Sequence, residues 1–359
     1  MKTIRIGVVG VGSIALLAHL PNYAKRSDVE VVAFADPEVD RVDRLAAAFA
    51  YDHGRSAPKV YRTLTEMLAQ TEVDAVSICT PNRTHAALAM EALEHGVHVL
   101  LEKPMTVTDS DAKQLAALVE RSGRVLMVGV SHRYRDDVNA VKRWLDAGEL
   151  GEIYYAKTRI LRRRGTPGGW FSDVAMAGGG PLMDLGVHAL DLAWWLMGKP
   201  TVKEISGFLR KGIGNDHVDF VSRWRSAATG NEENEVYTTE DFASAFLRFE
   251  NDLAMSMEVS WALNGEEDDA LKLDIFGTKG GVSLSPLQFY SSAHGILTTT
   301  KLQVGPGNLY GREIDHFLDC VHSGQTPVSD VWQGQEVVRM LNGIVRSSAE
   351  GASVQGERG

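Results

Sequence analysis

Asp184 and His188 stand four positions apart in a stretch that is otherwise apolar, among Leu182, Leu185, Leu190, Leu192, Trp195 and Leu196. On a helix, residues four apart share a face, so this carboxylate and imidazole can meet one small ligand. An imidazole, whose ordinary pKa is about 6.5, can take the proton of a hydroxyl group while a carbon-bound hydrogen leaves as hydride. The carboxylate can bind a second hydroxyl or orient the ring. Upstream, Glu102-Lys103-Pro104 closes a β-branched run, and Lys103 there can stabilise the alkoxide that develops as hydride departs. Each residue also has a plain reading: His188 as a satisfied core histidine, Lys103 as a solvated lysine. No metal is expected, because the helix offers only Asp191 as a further ligand and zinc normally takes three or four.

The elements that must carry these residues follow from the hydrophobic pattern. Strand patterns over 4–9, 29–34, 73–79, 97–101 and 125–130 alternate with helical ones over 13–25, 37–54, 84–94 and 109–122, with Pro21 expected to bend or shorten the first helix. Such alternation predicts parallel βαβ units. Beyond Val130 one helix over 137–146 gives way to strands over 152–161, 201–209, 242–249, 253–261 and 271–276, joined by turns, which predicts an α+β unit with an open, mostly antiparallel sheet. Helices return over 312–322 and 331–348; residues 351–359 read as a frayed tail and 214–239 as a polar, mobile insertion. The expected domains are 1–131 and 132–350, with the last helices packing back on the first.

Gly10-Val11-Gly12-Ser13-Ile14-Ala15 follows the first strand and opens the first helix, the G-x-G-x-x-A pattern that suits a dinucleotide pyrophosphate. Gly10 permits the tight turn, Gly12 the close approach of backbone amides, and the helix N-terminus adds positive potential. Asp36 ends the second strand at about the 20-residue spacing at which an acidic residue meets the adenosine ribose. Its carboxylate can accept both ribose hydroxyls, and Pro37 and Glu38 supply no adjacent cation, so NAD is expected over NADP; capping of the helix after Pro37 is the compatible alternative. Thr80-Pro81-Asn82, followed by His85, leaves another strand at the same carboxyl edge and can line the cofactor crevice, with helix capping by Asn82 or Thr84 as the equal alternative. Arg162-Arg163-Arg164 and the Gly-rich run to Trp170 read as a lid or a sugar-contacting loop.

Composition excludes several classes. The 359 residues are 44% hydrophobic and 23% charged, enough for two globular domains with buried cores. A formal net charge of −10 disfavours nucleic acid and anionic lipid. Cys79 and Cys320, far apart in apolar settings, read as buried free thiols of a reducing compartment. With no signal-peptide pattern at the start and no apolar run near the roughly 20 residues of a membrane helix, a cytoplasmic protein without membrane contact is expected.

Taken together, Gly10 to Ala15, Thr80-Pro81-Asn82 with His85, Glu102-Lys103-Pro104, and the stretch from Gly178 to Gly198 with Asp184 and His188 resemble the Gfo/Idh/MocA family of NAD(P)-dependent oxidoreductases. The resemblance covers nearly the whole chain. It implies a Rossmann, doubly wound first domain and a second domain whose open sheet builds a homo-oligomer, a dimer or tetramer. It also implies that Lys103, Asp184 and His188 are the catalytic lysine, aspartate and histidine of inositol-dehydrogenase-like members, acting on a sugar, cyclitol or derivative. Gly10, Gly12, Ser13, Ile14, Asp36, Thr80, Pro81, Asn82, His85, Glu102 and Lys103 then surround the cofactor. Arg163 and Trp170 join Lys103, Asp184 and His188 around the substrate, where hydrogen bonds and an aromatic face suit a polyol. Two other functions fit the same pattern: an NAD-dependent glycoside-cleaving enzyme with transient redox, and a non-catalytic dinucleotide-binding regulator.

Overall fold

The computed structural model describes residues 3–214, 236–266 and 268–356, so most of the insertion expected over 214–239 lies outside the described residues. The chain divides into two compact units, one formed by residues up to Val130 with Tyr310–Val338, the other by the remaining described residues.

In the first unit β1 (Ile4–Val9), β2 (Val29–Ala35), β3 (Lys59–Tyr61), β4 (Ala75–Ile78), β5 (His98–Glu102) and β6 (Leu126–Gly129) form a parallel sheet in the order β3-β2-β1-β4-β5-β6. The order reverses between β1 and β4, so the loops leaving those strands flank the crevice where such sheets take ligands. Both faces are covered, as the apolar strands require. On one face the helices α1 (Leu20–Tyr23) and α2 (Val39–His53) contribute Tyr23, Val42 and Phe49, joined by Ile314, Phe317 and Leu318 from the helix Leu309–Ser323. The other face is packed by Leu64 and Met67 of α3 (Leu64–Gln70), Leu93 of α4 (His85–Glu94) and Leu115 of α5 (Asp109–Ser122), with Val331 and Val338 of the helix Val331–Glu350.

The segment after the glycine turn stays helical through Pro21 and ends at Tyr23, two residues short of the expected span. It widens into a π-helical turn, Ala15–His19, immediately before α1. A regular helix would leave the carbonyl four residues before the proline facing a missing N–H. Strand β3 and helix α3, whose Thr63 accepts the amide of Glu66, were not anticipated from the pattern.

The second unit begins with α6 (Asp136–Asp146) and carries β7 (Ile153–Leu161), α7 (Val174–Ala177), a π-helical turn (Leu182–Gly186) running into α8 (Val187–Leu196), β8 (Val202–Arg210), β9 (Phe242–Phe249), β10 (Ala254–Ser260), β11 (Asp268–Gly277), β12 (Gly280–Leu284), β13 (Leu287–Ala293), β14 (Ile296–Lys301) and β15 (Val354–Gln355). These nine strands form one sheet in the order β14-β13-β12-β11-β7-β10-β9-β8-β15, antiparallel but for the parallel β7–β10 pair. β15 overturns the frayed tail: Val354 pairs with Ile205, and the Gly356 amide donates to the Lys203 carbonyl at 2.9 Å.

Alternation gives this sheet two different faces. Leu247, Met255, Met257, Leu273, Ile275 and Val282 are buried. Phe208, Phe246, Phe276 and Tyr290 lie on the opposite face, as the strand registers require, and remain 37–57% exposed. Among the described residues no helix is long and apolar enough to cross a membrane.

Candidate functional site

The glycine turn is built by close contact on one side and open space on the other. Gly10 has φ +81°, and a Cβ there would lie 2.9 Å from the Cys79 carbonyl, so only glycine fits between β1 and β4. A Cβ on Gly12 would meet no protein atom within 4 Å. Packing therefore does not demand that second glycine. Ser13 and Ile14 lead into the π turn on this side.

Asp36 is buried and more fully engaged than its sequence position suggests. Its Oδ2 accepts the Val11 amide at 2.9 Å and Arg41 Nη2 at 3.1 Å, and its Oδ1 accepts the Glu38 amide at 2.9 Å. Arg41 Nη1 also donates to the Val11 carbonyl at 2.8 Å. Two expectations change. With Oδ2 taking two donors and Oδ1 one, the carboxylate has room for one ribose hydroxyl rather than both. A cation does stand beside Asp36, because the first turns of α2 bring Arg41 back over the carboxylate that precedes the helix.

Thr80, Pro81 and Asn82 occupy the loop after β4 and the single turn that follows, as expected. The Thr84 side chain does not cap α4; its Oγ1 instead donates to the Pro81 carbonyl at 2.8 Å. His85 is buried, with Nδ1 2.8 Å from the Pro104 carbonyl and Nε2 2.9 Å from the Thr80 carbonyl. The ring thus lies between the carbonyls of the β4 loop and of the loop after β5, and as a neutral imidazole it donates to one of them. Burial pushes its pKa down, against the pull of the two carbonyls.

Lys103 leaves the carboxyl end of β5 at the crevice edge, and Glu102 just before it is buried in a polar cluster. Glu102 Oε1 lies 3.0 Å from His19 Nε2, His19 Nδ1 lies 3.2 Å from Ser77 Oγ, and Ser77 Oγ lies 2.6 Å from the Tyr23 hydroxyl. Glu102 Oε2 accepts the backbone amide of Lys103 at 3.2 Å. Burial disfavours both charges of the His19–Glu102 pair. Cys79 and Glu102 nonetheless hold the His19 pKa well above its usual value, and His19 and Lys103 hold Glu102 below the usual carboxylate range. Cys79 is only half-buried, short of the burial expected for both thiols.

Glu313 completes this cluster from the helix Leu309–Ser323. It is 1% exposed, and its Oε1 has no hydrogen-bond partner among the described residues. Burial, and then the Glu102 charge, push its pKa well above the carboxylate range, which favours the neutral acid. The folded chain therefore holds this proton to higher pH than the unfolded chain, which sheds it at the usual carboxylate pKa of about 4.3. Stability from this group is complete below that pH and declines as pH rises toward the folded pKa. Glu313→Gln removes the decline. Its unfolding free energy from urea titrations, compared with that of the parent protein between pH 5 and 8, is expected to gain with pH, by at most about 1.4 kcal/mol per pH unit.

In the second unit Asp184 and His188 are the only two residues of the run Pro181–Leu190 that are not buried. The glycine run seats this segment: a Cβ on Gly180 would lie 2.2 Å from the Glu240 carbonyl oxygen, and Glu240 Oε1 accepts the Leu182 amide at 3.1 Å. Asp184 sits in the π turn and accepts the indole N–H of the fully buried Trp261 at 3.1 Å. The His188 ring lies against that of His132, with centroids 4.6 Å apart. Asp191 is spent on Arg133 in a buried bidentate pair at 2.5 and 2.8 Å, so it is no candidate ligand. Among the described residues no group of three His, Cys, Asp or Glu side chains is gathered for a metal.

The basic loop is anchored more than expected. Arg164 donates to the Leu263 carbonyl and to Asn264, and Arg162 to the Gly165 carbonyl. Arg163 is exposed, and Trp170 stacks on Phe171 with centroids 3.8 Å apart. Thus Lys103 stands on the first unit, and Asp184, His188, Arg163 and Trp170 on the second. The sequence reading missed His19, Arg41, His132, Trp261 and Glu313. Only Arg41 had a usable signal, as an arginine early in the helix after Asp36.

Residues 4–130 match the family described as "Oxidoreductase family, NAD-binding Rossmann fold" (GFO_IDH_MocA), and residues 138–283 match the "GFO/IDH/MocA C-terminal domain". The chain is 30% identical to the D-glucoside 3-dehydrogenase of Escherichia coli (strain K12), over 98% of this chain and 97% of that protein. It is 25% identical to the scyllo-inositol 2-dehydrogenase (NAD(+)) of Bacillus subtilis (strain 168), over 90% of this chain and 88% of the relative. Among solved structures, GenD2 from gentamicin A biosynthesis, in complex with NAD, superposes with a TM-score of 0.78 at 25% identity, covering 100% of this chain and 97% of the other.

Proposed function

The chain belongs to the Gfo/Idh/MocA oxidoreductase family, with an NAD-binding Rossmann fold in its first unit, and on that footing we propose that it reversibly oxidises a secondary ring hydroxyl of a glucoside, sugar or cyclitol. The observation that carries this reading is the pattern of burial over Pro181–Leu190, where an acid and an imidazole alone escape an otherwise buried run. Buried neighbours fix the backbone there, so two polar side chains are presented on a rigid support.

In the oxidative direction His188 takes the hydroxyl proton as general base. The Lys103 ammonium steadies the negative charge that grows on the oxygen. Asp184, held by the Trp261 indole, fixes the ring through a neighbouring hydroxyl. Arg163 and Trp170 contact the remainder of the substrate, by hydrogen bonds and by an aromatic face. Bound NAD supplies the hydride acceptor. Gly12, Ser13 and Ile14 hold its pyrophosphate end, Asp36 one ribose hydroxyl, and the backbone of Thr80–Asn82 and of Glu102–Lys103 lines the crevice. The exposed aromatic face formed by Phe208, Phe246, Phe276 and Tyr290 supports a homo-oligomer built through the sheet.

The test is an initial-rate screen of glucosides, free sugars and cyclitols with NAD or NADP, following reduced cofactor. Stoichiometric NADH with a ketosugar product is the expected result. Sugar release without NADH supports the glycoside-cleaving function instead, and binding without turnover the regulator.

Arg41 shapes the cofactor preference. Asp36→Ser removes an acceptor of a ribose hydroxyl and is expected to weaken NAD binding by about 10–100-fold, the usual cost of one hydrogen bond to a charged group. The same change releases the Arg41 guanidinium for a 2′-phosphate, so NADP binding improves by about tenfold or more. Calorimetric titration of both cofactors into Asp36→Ser, and into Asp36→Ser with Arg41→Ala, reads both effects; the gain for NADP disappears in the double variant.

A further inference from the structure

His19 takes no part in the steps assigned above, yet it is the hinge of a buried polar network that reaches the Lys103 backbone through Glu102. It lies in the π turn that follows the glycine motif and is 1% exposed. Its two ring nitrogens face different partners: Nε2 the Glu102 carboxylate at 3.0 Å, Nδ1 the Ser77 hydroxyl at 3.2 Å, which in turn meets Tyr23 at 2.6 Å. Glu102 is thereby held at both oxygens, one by His19 and the other by the backbone amide of Lys103 at 3.2 Å. The other titratable groups around this carboxylate are Cys79, His85, Lys103 and Glu313. Without His19 this buried carboxylate loses its hydrogen-bonded cation, and burial then favours the protonated form. A neutral acid is a weaker acceptor for the Lys103 amide and puts no negative charge beside its ammonium.

We propose that His19 is a positioning residue for Lys103: anchored by Ser77 and Tyr23, it holds the Glu102 carboxylate, which fixes the backbone and the local field of the lysine. The network thus links the helix that receives the cofactor to the side chain that steadies the substrate oxygen. This inference rests on the assignment of Lys103 to that role.

A double-mutant cycle tests it. His19→Leu is expected to lower kcat by about 10–100-fold, the scale of a misplaced catalytic group, while the dissociation constant for NAD, read by calorimetry, changes less than about twofold. In a Lys103→Met background the same substitution is expected to cost less than about twofold in kcat, because the group it positions is gone. His19→Gln, which keeps a donor toward Glu102 and can accept from the Ser77 hydroxyl, restores most of the rate. Glu102→Gln serves in place of His19→Leu should the latter fail to fold, and the same non-additivity is expected. Equal losses in both backgrounds, or no loss in either, overturn the proposal alone. A Lys103→Met enzyme that retains the parental kcat overturns the role of Lys103, and this proposal with it.

Discussion

Lys103→Met is expected to lower kcat by about 10²–10³-fold, the range seen when one preorganised donor to a developing oxyanion is removed. Methionine keeps the length and much of the apolar stem but places no charge on the substrate oxygen. The position is at the carboxyl end of β5, and Lys103 itself contributes no side chain to either hydrophobic core of its unit. Thermal stability and the affinity for NAD should therefore stay near those of the parent. Steady-state kinetics on the best substrate of the screen, beside a melting curve and an NAD titration, separate lost chemistry from lost structure. A fall in kcat/KM that matches the fall in kcat places the interaction in the transition state.

His188→Asn is expected to cost about 10²–10⁴-fold in kcat, the usual contribution of a positioned general base. Asparagine preserves a polar group of similar reach but cannot accept a proton near neutral pH. The substitution lies on α8, where the flanking residues Val187, Ala189 and Leu190 are buried, so the support is retained. Because the base is gone, the remaining rate should rise in proportion to hydroxide concentration, a dependence that a side-chain base does not impose. Rates measured from pH 6 to 9 read this difference directly.

Much of this architecture was legible because local signals and tertiary packing agree. Helix α5 was bounded to the residue, since Thr108 caps the Asp111 amide and Gly123 takes the left-handed conformation that ends it. Strands β1, β4 and β5 read as apolar runs because both of their faces are covered. Other parts carried no such signal. Strand β3 is three residues long and its Lys59 is exposed, too little for a period to show. β15 is held by backbone bonds to β8, which side-chain patterning does not report. Neither π turn is visible, since hydrophobic spacing cannot distinguish one widened turn from regular helix.

The site divides in the same way. Asp184 and His188 stood out as polar residues in an apolar run, and burial explains why that contrast marks them. Lys103 and the glycine turn stood out by position after strands. The residues that set their environment did not. Trp261 reaches Asp184, Arg41 reaches Asp36 and Glu313 approaches Glu102 through the fold alone, across separations that no local pattern encodes.

The most direct test is the single-turnover rate of NADH formation for Lys103→Met, His188→Asn and the double variant, each saturated with NAD and substrate. If both groups serve one hydroxyl, the double variant falls well short of the product of the two single losses, as residues that act as a unit do. Losses that simply multiply, or a double variant that still forms NADH at the parental rate, contradict the account.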